Sequence, residues 1–108
     1  MEKLLREVCE EFNISRRAIQ GYEKAGLVSA TGRNERKYLL YDDEAQKRIE
    51  KCKMYQDMGF TVNEIVQVID APKDVLKSAL EARLENLKER KNKLDKVIGC
   101  TAELIKRI

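Results

Sequence analysis

Apolar residues recur along this chain every three or four positions, and the places where that rhythm fails mark its joints. Leu4, Leu5, Val8, Cys9 and Phe12 form one stripe with Glu7, Glu10 and Glu11 opposite, which predicts a helix over residues 3–12. Asn13 then turns the chain. Ala18, Ile19 and Tyr22 repeat at helical spacing in a second, short helix. Ser15 suits its N-cap, because its hydroxyl can accept an amide of the first turn. Gly26 suits its stop, because glycine tolerates the left-handed conformation there. Arg16, Arg17 and Gln20 fall on the far side, so this helix has an apolar back and a cationic, amide-bearing front. Turn formers fill residues 29–35. Residues 37–41 are short, aromatic and apolar, and read as a strand. Pairing residues 28–30 with 38–41 would make a small hairpin, with Arg33, Arg36 and Lys37 at or near its tip.

Asp42 is placed to cap a third helix reaching about Met58, with Asp43 and Glu44 at its positive end. Its predicted inner face is Ala45, Ile49, Cys52, Met54 and Tyr55. Gly59 ends it. Thr61 and Glu64 have the spacing of a capping box for a fourth helix, whose Val62, Ile65, Val66, Val68 and Ile69 are expected to close the core. Pro72 fits the first turn of a fifth. No proline or glycine interrupts residues 73–98. Leu80, Leu87 and Leu94 are seven apart, and Leu84, Lys91 and Ile98 form a second series offset by four: a heptad seam with one lysine in it. Such a helix, about 39 Å long at ~1.5 Å per residue, cannot bury its seam on a head of some 70 residues. A coiled coil between two chains is expected, with Lys91 fixing register. Gly99 is expected to break the helix, leaving residues 101–108 as a short amphipathic helix. The predicted organisation is therefore residues 1–71, 72–98 and 99–108, in a mainly α fold.

Composition narrows the function. The chain is 43% hydrophobic and 38% charged, too apolar for disorder and suited to helices with wet faces. The net charge of +3 is mild, and residues 1–41 hold eight basic and six acidic side chains, so any affinity for nucleic acid is local. No apolar run approaches the ~20 residues of a membrane span, and the start does not look like a signal peptide. Three distant cysteines without a histidine argue against a disulfide framework or a familiar metal site. A cytoplasmic location and no cofactor are expected. Enzyme chemistry is not expected either: there is no histidine, no glycine-rich phosphate loop and no evident carboxylate pair.

The second helix carries the functional reading. Arginine can grip phosphates or read guanine, glutamine can read adenine, and a short helix docked on a preceding one is how helix-turn-helix proteins enter a major groove. The stretch Ser15, Arg16, Arg17, Ala18, Ile19, Gln20, Gly21, Tyr22, Glu23, Lys24, Ala25, Gly26, Leu27 resembles the recognition-helix signature of the MerR family of bacterial transcription regulators, Ser-x-x-Thr-Ile/Leu-Arg-Tyr-Tyr-Glu-x-x-Gly-Leu. Arg36, Lys37, Tyr38, Leu39, Leu40 and Tyr41 resemble that family's wing motif Gly-Tyr-Arg-x-Tyr. Asp42, Asp43 and Glu44 then open a helix as in the family, and residues 57–65 resemble its Leu-Gly-Phe-x-Leu-x-Glu-Ile turn. The match covers roughly residues 4–70, in register throughout.

The resemblance implies a winged helix-turn-helix head with a small β-hairpin wing, followed by a long coiled-coil dimerisation helix that pairs antiparallel with its twin. It implies double-stranded DNA as partner, RNA polymerase at the promoter, and a bacterial, nucleoid-associated protein. The expected DNA-binding residues are Ser15, Arg16, Arg17, Gln20, Tyr22, Arg33, Arg36, Lys37 and Tyr38, with Tyr41 supporting the wing. The expected dimerisation residues are Leu80, Leu84, Leu87, Lys91, Leu94 and Ile98. Viewed alone, the basic loop would be read as solvated surface. Two departures stand out. The family's Arg-Tyr-Tyr is Gln20-Gly21-Tyr22 here, and its wing arginine is Leu39. Many relatives carry an effector segment after the long helix, and almost none is expected here. Metal-sensing relatives use a cysteine pair there; Cys100 stands alone, expected to pack under the terminal helix, with thiol sensing as its other reading. The leading expectation is a homodimeric, sequence-specific regulator on a near-palindromic promoter operator. Alternatives are an architectural or phage-type DNA-binding factor, or a coiled-coil interaction module with weakened DNA binding.

Overall fold

The computed structural model describes residues 1–108 and divides into two compact units, Met1–Ala71 and Pro72–Ile108. The first holds β1 (Lys3–Leu4), α1 (Leu5–Phe12), α2 (Arg16–Lys24), β2 (Gly32–Arg33), β3 (Leu39–Tyr41), α3 (Asp43–Asp57) and α4 (Val62–Val68). The second is one helix, α5 (Lys73–Arg107).

Local chemistry sets most of these boundaries. Glu7 reaches back to accept the Leu4 amide at 2.9 Å and starts α1. Asn13 ends it in the left-handed region at φ 51°, which asparagine tolerates better than most residues. Asp42 accepts the Ala45 amide at 2.8 Å to cap α3. Thr61 and Glu64 close a reciprocal capping box on α4. The helices bury one shared core: Val8, Ile19, Tyr22, Ile49, Cys52 and Ile65 are all at 0% exposure, joined by Tyr41 from β3. Tyr55 and Phe60 meet edge to face at 5.9 Å where α3 turns toward α4. Arg48 of α3 ties in the segments that follow α2 and α4. Its Nε donates to the Leu27 carbonyl at 2.8 Å, and its two terminal nitrogens donate to Asp70 at 2.7 and 2.6 Å.

The sheet differs from the expected hairpin. Its order is β1-β3-β2, all antiparallel, with Lys3 opposite Tyr41 and Gly32 opposite Leu40. The partner of β3 begins at Gly32 and not at Val28, because Leu27 and Val28 are buried in the core and hold the chain there. Lys3 and Leu4 belong to the sheet and not to the first helix, which starts at Leu5. Two expected core residues are exposed, Met54 at 44% and Val66 at 42%. Each lies about 100° around its helix from a buried neighbour, Tyr55 or Ile65, which already fills the inner face. Cys9 is half-buried.

Gly99 does not break α5, which runs through residues 73–107 without a separate terminal helix. A lone mid-helix glycine costs only about 1 kcal/mol relative to alanine, a small interruption within a helix of 35 residues. The two apolar series therefore continue, one through Thr101 to Ile108 and the other to Ile105. At ~1.5 Å per residue the 35 residues of α5 span about 52 Å, and none of them is buried. Cys100 accordingly lies exposed on α5 and not packed under a returning helix.

Candidate nucleic-acid interface

α2 owes its start to Ser15, whose Oγ accepts the Ala18 amide at 3.0 Å. That bond gives Ser15 a capping role. Arg16 and Arg17 open the helix, and with Gln20 they are exposed, while Ile19 and Tyr22 are wholly buried beneath them. The helix stops at Lys24, and Gly26 follows at φ 78°, a conformation that glycine adopts without steric cost.

Tyr22 departs from its expected outward role. Its ring is in the core and its hydroxyl donates to Gln56 of α3. Burial pushes its pKa up to about 12, because the phenolate would be stranded away from water. The spacing from Ile19 already put it on the apolar face. Tyr41 is equally buried, and its hydroxyl donates to Glu23 near the end of α2. That bond ties β3 to α2. Burial first, and the Glu23 carboxylate second, drive the Tyr41 pKa upward. Gln46 of α3 completes the support. Its side-chain amide donates to the Tyr41 carbonyl at 2.8 Å and to the Met1 carbonyl at 2.7 Å. Glu23, Gln46, Gln56 and Arg48 thus brace α2 and β3 from behind, and the inward bonds of Gln46 and Gln56 carry no signal in the sequence.

The wing tip is a tight turn over residues 34–37. The Lys37 amide donates to the Asn34 carbonyl at 2.8 Å, and the Asn34 amide donates to the Tyr38 carbonyl at 3.0 Å. Asn34 Oδ1 accepts the amides of Arg36 and Tyr38, each at 3.0 Å. The turn forces Lys37 to φ 65°, and Lys37 stands at the glycine position of the wing motif. Arg33 spends one guanidinium nitrogen on the Lys37 carbonyl at 2.7 Å. Arg36 and Lys37 are exposed, and Tyr38 is 56% exposed. Between this wing and the first turns of α1 and α2 lies a cleft of about 440 Å³, lined by Leu4, Leu5, Arg6, Arg16, Lys37, Tyr38 and Leu39. The structure therefore brings Arg16, Lys37 and Tyr38 together around one cleft and adds Arg6 to them. Arg17 and Gln20 are not among its lining residues.

No three His, Cys, Asp or Glu side chains converge to hold a metal ion. Burial pushes the thiols of Cys9 and Cys52 above their ordinary range. No helix is long and apolar enough to cross a membrane.

The model of the MerR HTH family of regulatory proteins matches residues 5–72, from the first residue of α1 to the residue before α5. The chain belongs to that family. Over 98 residues it is 26% identical to the HTH-type transcriptional activator mta of Bacillus subtilis (strain 168), covering 91% of this chain and 38% of that activator. It thus spans well under half of that protein's length. A MerR-family transcriptional regulator from Bacillus cereus superposes with a TM-score of 0.85 at 21% identity, over 99% of this chain and 82% of that one. HiNmlR, a MerR-family regulator lacking the sensor domain and solved bound to promoter DNA, superposes with a TM-score of 0.70 at 19% identity, over 91% and 79%. At those identities the structural likeness shows the fold: a mainly helical winged helix-turn-helix head with a small sheet as its wing, and a long C-terminal helix.

Proposed function

We propose that this chain is a sequence-specific DNA-binding transcription regulator acting as a homodimer on a near-palindromic promoter operator, with RNA polymerase as its partner there. Residues 1–71 are its DNA-binding domain and α5 its dimerisation element. The observation that carries the reading is the front of α2. Arg16, Arg17 and Gln20 stand exposed on a helix whose back is locked into the core, beside a wing whose tip offers Arg36 and Lys37. Side chains on a rigid helix can read base edges, and cations on a flanking wing can hold phosphates.

The dimer rests on the apolar stripe of α5. Leu84 is 52%, Leu94 59%, Ile98 57% and Ile105 67% exposed. A stripe of that length is not left in water, and a second helix with the same seam covers it. Two covered helices then fix the spacing of the two heads and hence of the half-sites.

Arg17→Ala tests the reading. Binding to DNA from the gene's own upstream region should weaken by roughly 1–3 kcal/mol, with relaxed preference at one base pair per half-site. Unchanged operator affinity and preference would remove the recognition-helix assignment. Wild-type binding that is equal for operator and scrambled duplex would favour the interaction-module alternative, to which Gln20 and Leu39 in place of the family's two arginines already lend weight.

A further inference from the structure

Two adjacent arginines open α2, yet the structure gives them different surroundings. Arg16 lines the cleft of about 440 Å³ at the base of the wing, together with Arg6 from the first turn of α1 and Lys37 from the wing tip. Arg17, the next residue, is not part of that lining. Successive helix residues point about 100° apart, so the pair cannot serve one site in the same way. No carboxylate lines the cleft, and no hydrogen bond or ion pair occupies the side chains of Arg6, Arg16 or Lys37. Three uncompensated cations around one concavity attract an anion. Arg16 is also the first residue of α2, at the helix end that favours negative charge. The rest of the wall is apolar: Leu4, Leu5, Leu39 and the ring of Tyr38. A small hydrated anion gains nothing from such a wall, whereas a deoxyribose can rest against it while its phosphate meets the cations.

We propose that the cleft seats one sugar-phosphate unit of the DNA strand at the edge of the groove, so that Arg6 and Arg16 contact phosphate and Arg17 and Gln20 are left for the bases. The inference rests on the DNA-binding reading and divides its residues. It adds Arg6 to the surface. It also gives Leu39 a part: with leucine where the family's wing has arginine, Arg6 of α1 adds its charge beside Arg16.

The salt dependence of duplex binding tests this. Each phosphate contact contributes about 0.9 to the slope of log K against log salt. Arg6→Ala and Arg16→Ala should each lower the slope by about that amount per chain and weaken operator and scrambled duplexes by the same factor. Arg6→Lys should restore the slope. Lys106→Ala, an exposed charge on α5, should leave it unchanged. Circular dichroism checks that each variant is folded. A wild type that prefers its operator while Arg6→Ala keeps the full slope overturns the cleft and leaves the proposed function standing. A wild type without sequence preference whose slope still falls in Arg6→Ala overturns the proposed function and keeps the cleft. Inorganic phosphate is the probe for a free anion. A phosphate-dependent rise in melting temperature that Arg6→Ala abolishes, with an unchanged duplex slope, would give the cleft to a small ligand and overturn the strand. A duplex preference altered in Arg16→Ala as in Arg17→Ala would overturn the division of labour.

Discussion

The head and α5 solve the burial problem in opposite ways. Residues 1–71 draw a wholly buried residue from each of the four helices and from β3 into one core, and every buried side-chain nitrogen or oxygen has a partner. α5 spans 35 residues and buries none. The head is therefore stable by its own packing, while α5 is a long amphipathic helix whose stability depends on what covers it. Rigidity follows the same division. The proposed reading role needs the arginines of α2 in fixed places, and Ile19, Tyr22 and Glu23 anchor that helix. A pairing helix needs only a repeating stripe.

Separating the two units by mutation gives the largest expected effects. Leu87→Ala removes a seam side chain from both helices of the proposed dimer. At about 1.5–3 kcal/mol per buried leucine, association should weaken by roughly 3–6 kcal/mol. Sedimentation equilibrium reads that loss, and the near-ultraviolet signal of the tyrosines, all four of which lie in the head, should not change. Ile49→Ala should do the reverse. It opens a cavity at a fully buried site of α3 and should destabilise the head by roughly 2–5 kcal/mol. A Leu87→Ala chain whose head melts early, or whose association is unaltered, would break the comparison.

How much of this was legible from the residues follows the range of the interactions. The helices and their caps were readable at Asp42, Thr61 and Ser15, because a cap and its amide lie three positions apart. Of the sheet, the strand ending at Tyr41 and its hairpin were readable, but the register and the third strand were not, because no local pattern encodes the pairing of Lys3 with Tyr41. The site divides likewise. Arg16, Arg17 and Gln20 could be placed on one helix front by periodicity alone. Arg6 could not, since its place depends on a wing about thirty residues further on. Gln46 and Gln56 were missed because a polar side chain that bonds inward leaves no period in the sequence. Tyr22 was misplaced outward although its spacing from Ile19 pointed inward, so there the motif was weighed above the pattern.

Alkaline titration sharpens the comparison next, because only the head holds tyrosines. The Tyr22 phenol keeps its proton to about pH 12 in the folded chain, whereas an unfolded tyrosine loses it near pH 10. Above pH 10 the unfolded state binds fewer protons, so folding stability present below that pH falls as the pH rises toward 12. Tyr41 adds to the loss in the same direction. Tyr22→Phe should be slightly less stable at pH 7, having lost its bond to Gln56, but should lose roughly 2 kcal/mol less than the wild type between pH 10 and 12. Urea unfolding of the head at the two pH values measures the difference. Equal alkaline losses in both chains would mean that Tyr22 is not sealed in the core.

The smallest effect sets one glycine in each unit against the other. A Cβ built on Gly26 or on Gly99 meets nothing within 4 Å, so crowding does not distinguish them. Backbone conformation does. Gly99 lies inside α5 with helical geometry, and Gly99→Ala should stabilise that helix by about 1 kcal/mol. Gly26 sits at φ 78° just past the end of α2, where an L side chain costs about 1–2 kcal/mol, so Gly26→Ala should destabilise the head. The same chemical change should thus carry opposite signs in the two units, read as the melting of the α5 helical signal and of the tyrosine signal. Were Gly99 a real break, alanine there would be neutral or harmful, the seam would end near Ile98, and Ile105 and Ile108 would have no place in the pairing. A gain at Gly99 beside a loss at Gly26 instead extends the covered stripe to the last turn of α5 and leaves the entry to the wing dependent on a glycine.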